Sequence, residues 1–427
     1  MKEWNSFDKI IKGKGMWLID SKGNKMLDGV ASMWCNVWGH SNPELVRAIT
    51  NQSKKLQHSS MFNLTNEPAE RLAENLVNIS PGMHKVFFSD NGSTAMEIAI
   101  KLALQYWKNI GEKKKTKIAT IENGYHGDTF GAMSVGYVPE FFGKFKEQLF
   151  STIQFPVPNK YRIPKGFTFS DYQNYCIEKI EKKFSKNNNI AAFIMESGAQ
   201  VAGGVIIYPK GFQRKISQLC KKYDVLFVLD EIATGLGRLG SMIQYEEQKS
   251  TPDIVAYGKM LTGGYLTMAA TMTNKKIYDS YLGEFNDWKH LFHGHTYTGN
   301  PIAAAVANEN LKMYKTKSLI KKIQKTSKVF EKFYQEISEI DIVGDIRHKG
   351  MLMGIEIVSN RKKKTPIHPK KSINKIFFEE GKKQGIYLRT LGNIVMLVPP
   401  LAISEKELNL LLNGTIRTIK AARLKVI

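Results

Sequence analysis

Between Asp253 and Lys275 the chain carries a single charged side chain, Lys259, within the stretch PDIVAYGKMLTGGYLT. The apolar DIVAYG ahead of it reads as a short buried strand, and Gly258, Gly263 and Gly264 crowd it. Most lysines in a chain with 62 Lys and Arg belong to the solvated surface. A lysine that ends a buried strand is different: it is partly desolvated, its pKa falls, and the free amine can form a Schiff base with an aldehyde. A carboxylate in a comparable place is Asp230, which closes the apolar run VLFVL. Desolvated at the sheet edge, it needs a cationic partner. A protonated pyridine nitrogen, which makes its ring an electron sink, would serve; so would a salt bridge to Arg238.

Two further stretches supply what a phosphorylated, flat-ringed cofactor needs. SDNGSTAMEIAIKLALQYW opens a helix: Thr94 and Glu97 have capping-box spacing, and Ala95, Ile98, Ala99, Leu102, Ala103 and Tyr106 repeat on one face. Gly92 permits close backbone approach, and the N–H groups near Ser93 and Thr94 can hold a phosphate, although an ordinary capped helix has the same pattern. NGYHGDTFGA places Tyr125 and His126 between glycines, where an aromatic can stack on a ring or pack within its loop.

The elements that must position these residues form an α/β pattern. KVFFSD, KIATIEN, IAAFIME, DVLFVLDEI and DIVAYG are continuously apolar, as parallel strands buried on both faces are, and helices over 93–110 and 211–223 fall between them. Ligands in such a sheet bind at the carboxyl ends of the strands. Beyond residue 310 the character changes: a long basic helix, then strand-like DIRHKGMLMGIEIV and IVMLVPPLAI, as in a second, smaller α+β domain.

At 427 residues and 42% hydrophobic composition the chain can build a substantial core. Its N-terminal stretch lacks the apolar segment of a signal peptide, and no window is apolar enough to span a bilayer, so the expected compartment is the cytoplasm and no membrane partner is expected. Cys35, Cys176 and Cys220 suggest neither a disulfide framework nor a metal site. The net charge of +23 raises the question of nucleic acid, but Lys and Arg are scattered through mixed runs such as EKKKTK and NRKKK, so no nucleic-acid partner is expected.

The ordered set DNGSTAMEIAIKLA, NGYHGDTFGAMSVG, DEIATGLGRLG, GKMLTGGYLTMAATM and FHGHTYTGNP resembles the class III, fold-type I pyridoxal-phosphate-dependent aminotransferases from the Gly15 region to the C-terminus. The resemblance implies an α/β fold with a large cofactor-binding domain at residues 46–309 and a smaller domain made of residues 1–45 and 310–427. It implies pyridoxal 5'-phosphate as cofactor, Lys259 as the Schiff-base lysine and proton shuttle, Asp230 as the partner of the ring nitrogen, and Tyr125 over the ring. Gly92 and Ser93 would bind the phosphate, with His295 and Thr296 contributed across a homodimer. Met33, Trp34, Gly294 and Arg389 would face substrate, Arg389 receiving a distant carboxylate. Glu196 and Gln200 match the family pattern in ESGAQVAGG, with a role less defined.

The activity so implied is transfer of an amino group onto the small molecule 8-amino-7-oxononanoate from S-adenosylmethionine or lysine; the alternative is another class III aminotransferase acting on an ω-amino acid or ornithine. Three departures stand out. Met33 precedes Trp34 where many members have two adjacent tryptophans, His295 replaces a common proline, and no aromatic-proline-aromatic segment precedes Gly15. Loss of one flat wall at Met33 favours lysine over a large sulfonium nucleoside, although a methionine can also pack flexibly against an adenine and S-adenosylmethionine is the commoner donor in the family resembled.

Overall fold

The computed structural model describes residues 7–427. The five apolar runs form strands at Lys85–Ser89, Lys117–Ile121, Ile190–Glu196, Leu226–Asp230 and Ile254–Tyr257. The last three are buried along their whole length, which is why their sequences do not alternate. With Ile153–Phe155 and Ala269–Thr273 they make a seven-stranded sheet in the order Lys85–Ser89, Ala269–Thr273, Ile254–Tyr257, Leu226–Asp230, Ile190–Glu196, Lys117–Ile121, Ile153–Phe155. Only Ala269–Thr273 runs antiparallel to its neighbours. Its alanines and threonines carry too little apolar bulk to stand out as a strand after the Gly263–Gly264 pair.

Helix Gly92–Asn109 packs on this sheet through the expected face, Ala95 to Tyr106, and Trp107 Nε1 donates to Ala191 O at 2.8 Å, fastening the helix to strand Ile190–Glu196. Its cap differs from the expected Thr94–Glu97 box. Asn91 is the cap, in extended conformation, accepting from Thr94 N while Thr94 Oγ1 accepts from Asn91 N. Glu97 is thereby free to receive Thr129 Oγ1 and Ala132 N, and it anchors the start of helix Phe130–Val135. Gly131 is required there, because a Cβ would lie 2.2 Å from the Glu97 carboxylate.

The expected long basic helix after residue 310 is instead broken. Helix Pro301–Thr316 stops before Ser318, which takes a left-handed φ of 51°, and the chain continues as Leu319–Thr326, a 3-10 turn Ser327–Phe333 and Tyr334–Glu339. Strands Val343–Lys349, Leu352–Asn360, Ile394–Leu397 and Arg389–Leu391 then build a second sheet, with Thr365–Pro366 on its side. A third sheet joins the chain ends: Ile10–Lys14, Trp17–Asp20 and Lys25–Asp28 continue into Ile386–Tyr387. This pairing supports one small domain built from residues 1–45 and 310–427, which we propose; residues 1–6 of it lie outside the described part. Among the described residues no helix is long and apolar enough to cross a membrane.

Helix Pro301–Thr316 also fixes the turn after strand Ile254–Tyr257. Asn310, fully buried, donates through Nδ2 to Met260 O (2.8 Å) and Leu261 O (2.9 Å) and accepts from Trp38 Nε1 (2.7 Å). Leu261 O and the Trp38 indole N–H therefore depend on one amide, while Met260 O also accepts from Gly263 N. Asn310→Ala is expected to lower the urea midpoint of unfolding by the equivalent of about 2 kcal/mol, because Leu261 O and the half-buried Trp38 indole N–H lose their partner together.

Candidate active site

A cavity of about 590 Å³ opens at the carboxyl ends of the central strands. Asp230 and Glu196 face each other in register on adjacent parallel strands, and Lys259 follows the next strand after Tyr257 and Gly258. Met33, Trp34 and Cys35 form one wall, Gly264 to Met268 another, and Asp90 to Ser93 one end.

Lys259 begins a 3-10 turn, Lys259–Thr262, and adopts φ 30°, a left-handed conformation unusual for a residue with a side chain. The turn is closed by Gly263 at φ 65° and held by Asn310. Its Nζ lies 5.5 Å from the centroid of the Trp34 ring. Among the described residues it makes no hydrogen bond or ion pair. Burial lowers its pKa from the ordinary lysine value, while the charges of Asp230, Glu196 and Cys35 act in the opposite direction.

The two carboxylates are engaged elsewhere. Asp230 Oδ1 accepts from Ile232 N at 2.9 Å, and Oδ2 pairs with His126 Nδ1 at 2.8 Å. Arg238, the alternative partner, is remote: its Nη1 donates to Met351 O and Pro399 O, so no Asp230–Arg238 bridge exists. Both His126 and Asp230 are buried, and His126 Nε2 has no partner among the described residues. Glu196 accepts from Tyr125 N (3.1 Å) and Val201 N (2.6 Å), and burial pushes its carboxyl up to about 7. Tyr125 donates its hydroxyl to Asp128 Oδ2 at 2.7 Å and stacks on Phe142, ring centroids 6.1 Å apart.

At the far end the chain packs closely at two glycines. A Cβ on Gly92 would lie 2.8 Å from Ile232, and one on Gly127, at φ 125°, would collide with Ser93 Oγ, which accepts from Asp128 N. Thr234 Oγ1, buried at the cavity wall, has no partner among the described residues.

The structure thus gathers Lys259, Asp230, Tyr125, Gly92, Ser93, Met33 and Trp34 around one cavity. It does not bring Gly294, His295, Thr296 or Arg389 into the lining. Gly294 and Thr296 are exposed, Thr296 O accepts from His58 Nε2, and His295 Nε2 lies 3.3 Å from Asp90. Arg389 Nη1 donates to Met33 Sδ at 2.8 Å and lines an adjoining cavity of about 540 Å³ that shares Met33 with the first. Gln200 donates to Glu122 O, outside the cavity. His126 as the partner of Asp230, and Thr234, were not singled out by sequence; a histidine beside Tyr125 at a strand end was the available signal.

Comparison with known proteins follows from this geometry. The family model described as aminotransferase class-III matches residues 2–419. The chain is 39% identical to the adenosylmethionine-8-amino-7-oxononanoate aminotransferase of Geobacter sulfurreducens, covering 98% of this chain and 94% of the relative. It is 43% identical to the protein of the same name from Staphylococcus aureus, over 93% of this chain and 88% of the relative. The crystal structure of the Methanocaldococcus jannaschii protein of that name superposes with a TM-score of 0.91 at 40% identity, covering 97% of this chain and 93% of that one.

The electrostatics of the cavity fix an expected order of titration. In cofactor-free protein, competitive acetylation with acetic anhydride should show Lys259 titrating below exposed Lys113, because burial disfavours its ammonium. Asp230→Asn and Glu196→Gln should each lower the Lys259 midpoint further, since each removes a negative charge that now raises it. An upward shift in either variant would contradict this assignment.

Proposed function

The chain belongs to the class-III aminotransferases, a pyridoxal-phosphate-dependent family, and on that premise we propose that it transfers an amino group to 8-amino-7-oxononanoate, giving 7,8-diaminononanoate for biotin synthesis. The observation that carries this reading is the unpaired Lys259 amine opening on a cavity opposite Asp230, in a chain that matches its relatives over nearly its whole length.

The residues present fit the cofactor. The N-terminal turn of helix Gly92–Asn109, with Gly92, Ser93 and the orphan Thr234 hydroxyl, suits a phosphate, and Asp230 suits a protonated ring nitrogen. Bound pyridoxal phosphate supplies an aldehyde to the lysine amine and a ring that draws electrons from the substrate carbon. The protein supplies the rest. Lys259 has its Nζ in the cavity and would take the proton from, or return it to, the substrate carbon that bears nitrogen, a task suited to an amine whose pKa is lowered by burial. Asp230 keeps its charge oriented because His126 and Ile232 N fix both oxygens. Trp34 and Tyr125 exclude water on two sides. Donor amine and acceptor carbonyl oxygen exchange places, with no net oxidation.

We further propose that Arg389 receives the acceptor carboxylate after the Met33 thioether moves aside, a bidentate fork being better suited to that group than an ammonium. A homodimer completes the site with Gly294, His295 and Thr296 from the second subunit. Support comes from the exposed Phe62, Phe285, Trp288, Phe292 and Tyr297, a concentration of aromatic surface in and near the segment that holds those residues. The cytoplasm is the compartment we assign, in keeping with three free cysteines.

The names of the relatives favour S-adenosylmethionine as donor and outweigh the argument from Met33, a residue flexible enough to pack on an adenine itself. The alternative ω-amino acid activity has no observation in this cavity to favour it.

Purified protein should absorb in the visible, and borohydride should fix the pyridoxyl group on Lys259; Lys259→Ala should lose turnover by at least about a thousandfold. A label on any other lysine would remove the proposal. Mixing the loaded protein with single donors should bleach the visible band with S-adenosylmethionine and leave it with lysine; the reverse result would reassign the donor. Arg389→Ala should raise KM for the acceptor about tenfold or more while leaving that for S-adenosylmethionine nearly unchanged, and equal effects would make Arg389 structural.

A further inference from the structure

The wall that carries Trp34 is built on an improbable backbone. Ala31, Ser32 and Trp34 take φ of 48°, 61° and 68°, and Ser32, with ψ −79°, sits in the rare γ-turn conformation. None of the three is glycine, so something must hold the segment. The holding group is Asp28, fully buried at the end of strand Lys25–Asp28. Its Oδ1 accepts from Val30 N at 3.2 Å; its Oδ2 accepts from Ser32 N at 2.7 Å and Ser32 Oγ at 3.4 Å, and meets His40 Nε2 at 3.1 Å. Of the four contacts on this carboxylate, three come from the turn and the fourth from His40.

The turn is also clamped from behind. Gly29 N donates to Tyr387 O and Val398 N donates to Gly29 O, and a Cβ on Gly29 would lie 2.7 Å from Tyr387 O. The turn therefore cannot shift as a rigid piece. It can only relax within residues 30–34, which would move Trp34, the ring 5.5 Å from Lys259 Nζ.

We propose that Asp28 is a positioning residue for the amine of Lys259: its carboxylate holds the left-handed turn that keeps the Trp34 ring against that amine and shields it from water on that side. Only an anion does this, because Asn at the same place would turn an N–H toward another donor at one of the two oxygens. The inference rests on the reading of Lys259 as the reactive amine. The groups that face Asp28 are His40, Arg238 and Tyr387; those that face Lys259 are Asp230, Glu196 and Cys35, none of which the substitution removes.

The test is the midpoint of Lys259 acetylation by acetic anhydride in cofactor-free protein, read by mass spectrometry against exposed Lys113. Asp28→Asn should raise the midpoint by about one pH unit, since water reaching the amine outweighs the lost attraction of the ring face. Trp34→Ala, which leaves Asp28 and its contacts in place, should reproduce the rise. An unmoved midpoint in W34A or in folded D28N overturns the assignment. A wild-type Lys259 that titrates with Lys113 sinks the functional reading and this inference with it, whereas a low wild-type midpoint unmoved in D28N sinks this inference alone.

Discussion

The structure depends on partly desolvating one ammonium-forming group without giving it a counter-ion. An amine paired to a carboxylate holds its proton and is a poor nucleophile; an amine in bulk water holds it almost as firmly. Lys259 avoids both because the nearby carboxylates are committed elsewhere: Asp230 to His126 and Ile232 N, Glu196 to Tyr125 N and Val201 N. Their fields still reach Lys259, yet burial is the larger influence on it. The arrangement leaves a negative group where a cationic ring can lie and a free amine beside it.

Each layer of the fold serves that arrangement. Parallel strands bring Asp230 and Glu196 to the same edge, and an extra turn after Tyr257 lifts Lys259 to the same level. That turn is held from beneath by Asn310 and the cavity wall is held by Asp28, so two buried polar side chains, from opposite ends of the sequence, set the distance between the Trp34 ring and the amine. The sheet formed by Lys25–Asp28 and Ile386–Tyr387 adds a second consequence. The strand that precedes the Trp34 turn and the strand that leads to Arg389 are neighbours, so the wall over the amine and the arginine proposed for the substrate tail are presented by one unit.

Much of this was legible in the sequence. The five buried strands were visible as continuous apolar runs, and Lys259 and Asp230 stood out because each ends such a run. What was not legible depends on partners distant in the chain. His126, in the loop after strand Lys117–Ile121, meets Asp230 at the end of another strand, and periodicity carries no trace of the pairing. The Asn91 cap was misread because Thr94 with Glu97 has the spacing of a box, whereas the helix begins earlier and Glu97 serves the next helix instead. Strand Ala269–Thr273 was missed because its small residues satisfy a packed sheet interior without looking hydrophobic. Arg238 looked like a partner for Asp230 by proximity in sequence, but the left-handed Leu236 and glycine turns between them carry it to the carbonyls of Met351 and Pro399.

The most direct test of the central claim is a single-turnover experiment with the acceptor. Protein first converted by its donor to the pyridoxamine form and freed of excess donor is mixed with 8-amino-7-oxononanoate, and the product is followed by mass spectrometry together with recovery of the visible band. The account predicts one equivalent of 7,8-diaminononanoate per active site, appearing with the band. Recovery of the band with ω-keto acids or keto-acid analogues, with none from 8-amino-7-oxononanoate, would contradict it.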